Sequence, residues 1–215
     1  LVLEALDIPP KNPQAPVILA FHGNGSAAIW MASQLYGLTR DGTGIISAEY
    51  RGYSGNGGAI NEQGLYMDAD AYYAYARQKY PQNPLVIYGQ SLGSGVAVDL
   101  ASRVDGASAL ILEVPFDSIA AVVAKVYPFV PFPSVMVRDK YASIDKIGRV
   151  SAPKIFLLAG QDEVVGEASG LRLYDAADEN KVLFRAPQAT HMTIFQAGAE
   201  DEIRIFLQDK IGKTQ

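Results

Sequence analysis

The chain contains no cysteine. That removes disulfide frameworks, thiol nucleophiles and thiolate metal sites together. Histidine is nearly absent as well: His22 and His191 are all there is, too few for a histidine-rich metal centre. No metal and no cofactor is expected. A block of cations is missing too, since 18 basic side chains are scattered among 23 acidic ones for a net charge of −5 over 215 residues. Neutralising phosphates takes grouped Lys and Arg, so a nucleic-acid partner is excluded.

Long uncharged apolar runs are also lacking. The nearest approach, Ile119 to Val137, carries Lys125 and the breakers Pro128, Pro131 and Pro133. Such a segment suits a surface cap and not a membrane span. The chain opens on Leu1-Val2-Leu3-Glu4, with neither an initiator methionine nor a charged stretch leading into an apolar one. This reads as the start of a processed or trimmed chain, soluble as given, whose compartment is not legible; with an N-terminal segment removed it is expected to be cytoplasmic or membrane-peripheral. Oligomeric state is not legible.

What is present is a compact α/β pattern. The hydrophobic fraction is 49% and the charged fraction 19%, as in a globule able to bury a core. Short apolar runs alternate with helical periodicity, the mark of a mostly parallel sheet covered on both faces. Strands are expected at Leu1–Ile8, Val17–Phe21, Gly44–Tyr50, Leu85–Tyr88, Ala109–Val114, Lys154–Ala159 and Lys181–Phe184. Helices are expected at Ile29–Leu38, Gly64–Tyr80, Leu92–Val104, Glu167–Ala177 and Ala199–Ile211. Residues 1–215 read as one three-layer domain. A segment at about 116–150 departs from the alternation and is expected to be a small cap inserted over the sheet edge.

Gly89-Gln90-Ser91-Leu92-Gly93 is a G-x-S-x-G pentapeptide. Its logic is a turn too tight for side chains at the flanks, which raises the serine hydroxyl above the sheet. In a chain with 20 glycines the pattern alone carries little; its context carries more, because an apolar strand precedes it and a small-residue helix follows. A similar stretch, Gly52-Tyr53-Ser54-Gly55, is broken by Asn56 and opens no helix.

A serine nucleophile needs a base, and an imidazole with an unperturbed pKa near ~6.5 can accept and return its proton. His191 follows the last expected strand, whereas His22 sits in the turn after Val17–Phe21. That turn, His22-Gly23-Asn24-Gly25, is better suited to presenting a backbone N–H to an oxyanion, from Asn24, with Leu92 supplying the second. His22 is then structural. Asp162, in Gly160-Gln161-Asp162, is placed to fix the imidazole's tautomer, giving the chain order Ser91, Asp162, His191. Glu113 is the best substitute acid, and the neighbouring Glu163 is expected to point elsewhere.

With these residues in view, the sequence resembles the α/β-hydrolase superfamily, in particular the small, lid-poor serine hydrolases of the alpha/beta-hydrolase domain-containing, depalmitoylase-related type. The matching stretches are His22–Gly25, Glu49–Gly55, Gly89–Gly93, Glu113–Ser118, Gly160–Val165 and Thr190-His191. The resemblance implies a sheet of about eight strands, Ser91, Asp162 and His191 as a catalytic triad, and Asn24 and Leu92 as oxyanion donors. It departs at Gly166, where the family commonly has proline. Members also usually begin with extra residues, often membrane-proximal.

The expected activity is hydrolysis of carboxylic esters or thioesters bearing an apolar acyl group, through an acyl-enzyme, with a small-molecule or lipid-like substrate. Trp30, Tyr53, Phe129 and Phe132 are the candidate pocket walls, and all are equally suited to ordinary packing. Arg51 and Arg138 are candidates for gripping a carboxylate. Two other readings stand beside it. Gly23-x-Gly25-x-x-Ala28 with Glu49 approximates a dinucleotide-binding Rossmann fingerprint, though it leaves Ser91, Asp162 and His191 without a role. A non-catalytic binding module on the same fold is the third.

Overall fold

The computed structural model describes residues 1–126 and 137–212. Its regular elements are β1 (Ala5–Ile8), β2 (Val17–Phe21), α1 (Ala28–Leu35), β3 (Gly44–Ala48), α2 (Glu62–Lys79), β4 (Leu85–Gln90), α3 (Leu92–Ala101), β5 (Ala107–Glu113) and α4 (Ile119–Val126). Then come β6 (Lys154–Ala159), α5 (Glu167–Ala176), β7 (Lys181–Ala186) and α6 (Glu200–Lys210). Among the described residues the sheet has seven strands in the order β1-β3-β2-β4-β5-β6-β7, where about eight were expected. β1 runs antiparallel to β3, and the other pairings are parallel.

Strand alternation builds the three layers. Val17, Leu19 and Phe21 of β2 join Ile87, Leu112 and Phe156 in a core with Leu65, Val96 and Leu173 of α2, α3 and α5. The intervening Ile18 and Ala20 face the other way, with Tyr88, Ile111 and Ile155, onto Met31 and Leu35 of α1 and Ile203 and Phe206 of α6. A period of two thus feeds two cores from each strand.

Element ends differ from expectation for local reasons. α2 starts two residues early because the Asn61 side chain caps it, accepting from the Gly64 N–H at 2.8 Å. β4 runs on through Gly89 and Gln90, which pair with Leu112 and Glu113 although neither is apolar. The helix expected at Ile29–Leu38 ends at Leu35 and tightens into a 3-10 turn over Tyr36–Asp41, closed by Gly42 at φ 93°.

Topology locates the site. The chain leaves β2 for β3 on one side and then places β4 on the other, so β2 and β4 flank a switch point, where a crevice opens at the carboxyl ends of the strands. Phe21 pairs with Gly89, which sets the turn after β2 beside the turn after β4. Among the described residues, positive φ outside glycine occurs at Ser54, Ser91, Val114 and Tyr141. The first three follow β3, β4 and β5, so backbone strain collects at this edge.

Candidate active site

Ser91 sits between β4 and α3 with φ 49° and ψ −117°, a conformation side chains rarely adopt. Backbone bonds fix it there: its N–H donates to the Glu113 carbonyl at 2.9 Å, and its own carbonyl accepts from Ser94 N–H at 2.8 Å. The flanking glycines are required by space. A β-carbon on Gly93 would overlap the Phe21 carbonyl, and one on Gly89 would overlap the Gly93 carbonyl. α3 can therefore start hard against β2 and β4, which leaves the serine side chain raised at the bend.

His191 and Asp162 arrive on two loops tied to each other. Gly160 N–H donates to the Ala186 carbonyl and Gln161 N–H to the Ala189 carbonyl, each at 2.9 Å, so the loop after β6 and the loop after β7 hold a common register. His191 Nδ1 lies 2.8 Å from Asp162 Oδ2, and its Nε2 lies 3.1 Å from Ser91 Oγ. The Nδ1–H donates to the carboxylate, which leaves the Nε2 lone pair facing the hydroxyl. Asp162 Oδ1 accepts the Val164 and Val165 N–H groups at 2.9 and 2.8 Å. Burial pushes this carboxyl up, but the His191 hydrogen bond and charge together with the loop amides outweigh it and hold it below the ordinary carboxylate range.

The turn after β2 lies against the serine, since a β-carbon on Gly23 would stand 3.4 Å from Ser91 Cβ. Among the described residues the Asn24 and Leu92 amides donate to no protein group. Leu92 opens α3, whose first turn has unsatisfied N–H groups and the positive end of its dipole. His22 is 0% exposed. Its Nε2 lies 2.8 Å from Glu49 Oε1 and its Nδ1 2.8 Å from the Gly23 carbonyl. With both ring nitrogens engaged, His22 braces the turn. Glu49 Oε2 accepts the Ala28 N–H at 2.9 Å, pinning the start of α1. Burial raises the Glu49 carboxyl, while the Ala28 amide, Ser54 and His22 lower it by more, for a net fall.

The remaining candidates are placed as follows. The Tyr53 hydroxyl donates to Asn24 Oδ1 at 2.7 Å, and its ring meets His22 edge-on. Trp30 is 69% exposed on α1. Phe129 and Phe132 lie outside the described residues. Arg51 is paired with Asp68 at 2.6 Å. Glu113 points to Tyr88 and Gln34 and makes no hydrogen bond to His191. Glu163 meets the His191 backbone N–H at a long 3.5 Å and not the ring. Glu49, which the dinucleotide reading casts as the ribose-binding acid, is buried, and both its oxygens bond to protein groups.

Two partners had no signal in the sequence. Glu49 as the mate of His22 is one. Lys125 of α4 is the other, its Nζ donating to the Asp162 carbonyl at 3.0 Å. Gly166 makes room for that amine: a β-carbon there would lie 2.8 Å from it, and the glycine's φ is 87°. Among the described residues, no cluster of His, Cys, Asp or Glu is arranged to hold a metal ion, and no helix is long and apolar enough to cross a membrane.

A family model described as serine aminopeptidase, S33, matches residues 12–141. An uncharacterized protein of Mycobacterium tuberculosis is 36% identical over 181 residues, covering 82% of this chain and 63% of that protein. Human alpha/beta hydrolase domain-containing protein 17C is 33% identical over 198 residues, covering 89% of this chain and 54% of its own length. The chain thus spans under two thirds of these relatives. Among solved structures, Est1E of Butyrivibrio proteoclasticus with bound ferulic acid superposes with a TM-score of 0.80 at 19% identity, over 98% of this chain and 96% of that one. A Pyrococcus furiosus esterase superposes with a TM-score of 0.77 at 14% identity, over 98% and 92%. These two likenesses are of fold.

Proposed function

Because the chain belongs to the serine aminopeptidase S33 family of α/β-hydrolases, we propose that it is a serine hydrolase cleaving carboxylic esters or thioesters with an apolar acyl group. The reading rests on one observation above others: the unbroken line from Asp162 Oδ2 through the His191 ring to Ser91 Oγ, with links of 2.8 and 3.1 Å. Curated relatives carrying the hydrolase name and esterases sharing the fold support the general class.

In this mechanism His191 Nε2 takes the Ser91 proton as Oγ bonds to the acyl carbon. The carbonyl oxygen becomes an oxyanion, held by the Leu92 and Asn24 N–H groups and the N-terminal end of α3. The bond to the leaving alcohol or thiol then breaks, and His191 gives that group the proton. Water enters, loses a proton to His191 and attacks the acyl-serine. The carboxylic acid leaves as Oγ is reprotonated. Asp162 keeps the imidazole in the required tautomer throughout.

The segment at 116–150 acts as a cap within a single catalytic domain. Support comes from its roots, since it leaves after β5 and returns before β6, two strands that pair directly. Within it the α4 face facing the core is apolar, with Ile119 and Val122 packed on it. Acyl selectivity comes from this cap, with Trp30 and Tyr53 as further candidates for the acyl contact.

A chain-length series of acyl esters and thioesters, run on wild type and Ser91→Ala, tests the reading. Turnover that favours apolar acyl groups and vanishes in Ser91→Ala is expected. Turnover that survives Ser91→Ala contradicts it.

A further inference from the structure

Glu113 is a buried carboxyl that this mechanism does not use. It is 2% exposed and ends β5 in register with Gln90 of β4. Its Oε2 accepts from the Tyr88 hydroxyl in a short contact and from Gln34 Nε2 at 2.8 Å. Gln34 Oε1 in turn accepts from Gln90 Nε2 at 3.3 Å. The other end of the Gln90 amide, Oε1, lies 3.5 Å from where a β-carbon on Gly23 would stand. A chain of hydrogen-bonded side chains therefore runs from Glu113 through Gln34 to Gln90, whose amide oxygen stands beside Gly23 of the turn that carries Asn24, and it makes no hydrogen bond to His191.

Gln34 gives this path mechanical reach. It belongs to α1, which grows directly out of the turn at residues 22–27. The start of α1 is pinned by Glu49 through the Ala28 N–H at 2.9 Å and by Ser47, whose hydroxyl donates to the Ala28 carbonyl at 2.8 Å. Its end is pinned by Glu113 through Gln34. The turn is thus tied by His22 and Tyr53 through hydrogen bonds, with Gln90 standing beside Gly23. Where two amides must converge on one oxygen, a displacement of about 1 Å can cost up to about 100-fold in rate.

We infer that Glu113 is a positioning residue of the oxyanion turn, which it holds through Gln34 of α1 and Gln90 of the elbow. The inference rests on the hydrolase reading and adds to it a second polar anchor independent of the Asp162–His191 pair. The burial of Glu113 also raises its pKa above the ordinary carboxyl value, with Tyr88, Gln90 and Gln34 opposing that rise through hydrogen bonds and His191 through its charge. Either charge state of the carboxyl offers the oxygen that Gln34 needs, so the anchor calls for an acceptor and not for a negative charge.

The test compares Gln34→Leu, Glu113→Leu and Glu113→Gln with wild type on an activated ester, with inhibition by an alkyl boronic acid as a transition-state mimic. Both leucine variants should lose about 10- to 100-fold in kcat with KM little changed, and boronate affinity should fall in parallel. Glu113→Gln keeps an oxygen acceptor and should recover activity to within about threefold of wild type. Gln34 is half-buried on a helix surface, so its variant keeps the question open even if Glu113→Leu does not fold. Wild-type kcat in Gln34→Leu overturns the inference. So does a loss in Glu113→Gln as deep as that in Asp162→Asn, which would make Glu113 the acid partner of the imidazole. Failure of an organophosphonate to capture wild-type protein overturns the hydrolase reading itself, and this inference with it.

Discussion

Ser91 Oγ and His191 Nε2 stand 3.1 Å apart although 100 residues separate them in the chain. The sheet makes that contact. Ser91 leaves β4, His191 follows β7, and β5 and β6 lie between them. The backbone bonds tying the loop after β6 to the loop after β7 carry His191 back across this span.

The Ser91 backbone conformation stores strain, and relieving it should be measurable. Ser91→Gly is expected to raise stability by about 1–3 kcal/mol while abolishing turnover. Ser91→Ala should be inactive without that gain. Thermal unfolding with circular dichroism checks both, and a lower Tm in Ser91→Gly would mean the elbow is unstrained.

Asp162→Asn should reduce kcat by up to about 10⁴-fold by disturbing the tautomer of His191 while leaving the fold in place. Steady-state kinetics on one ester decide this. A variant with most of its activity left would move the acid role elsewhere.

Asp162 and Glu49 are both held below their ordinary values of 3.8 and 4.5. A depressed folded-state value means that ionisation favours the fold. The contribution is therefore complete above the ordinary value and is lost as the pH falls through the lower, folded one. Denaturant unfolding followed against pH should show stability falling below about pH 4, and Asp162→Asn should lose less over that window. Equal losses in the two proteins would remove the Asp162 contribution.

Gly166→Pro should weaken the acid loop and not tighten it. Proline is confined to φ near about −65°, whereas Gly166 has φ 87° and Lys125 Nζ fills the space beside it. A stability loss of more than about 1 kcal/mol is expected, with lower activity. A rise in Tm would show that the loop can adopt a conformation that accommodates proline.

Tyr53→Phe keeps the ring against His22 and removes only the hydroxyl that donates to Asn24. A fall of about tenfold in kcat with little change in Tm is expected. Unchanged kcat would mean that the turn holds Asn24 without help from Tyr53.

Much of the framework was legible because it depends on local rules. The apolar runs of β2 and β4 and the glycines at 89 and 93 follow from short-range pattern. The partners of His22 and Asp162 did not. Glu49 reaches His22 across 27 residues and Lys125 reaches Asp162 across 37, distances over which periodicity carries no information. Gln34 was hidden for a related reason: a polar residue on an otherwise apolar helix stretch reads as solvent-facing, yet it joins α1 to the buried end of β5. Phe129 and Phe132, expected at the pocket, fall outside the described residues.

The most direct measurement is covalent capture by a fluorophosphonate, with the modified peptide located by mass spectrometry. The account predicts one adduct, on Ser91, that disappears in Ser91→Ala and forms far more slowly in His191→Ala. Label on another residue, or label on Ser91 at an unchanged rate without His191, would contradict it.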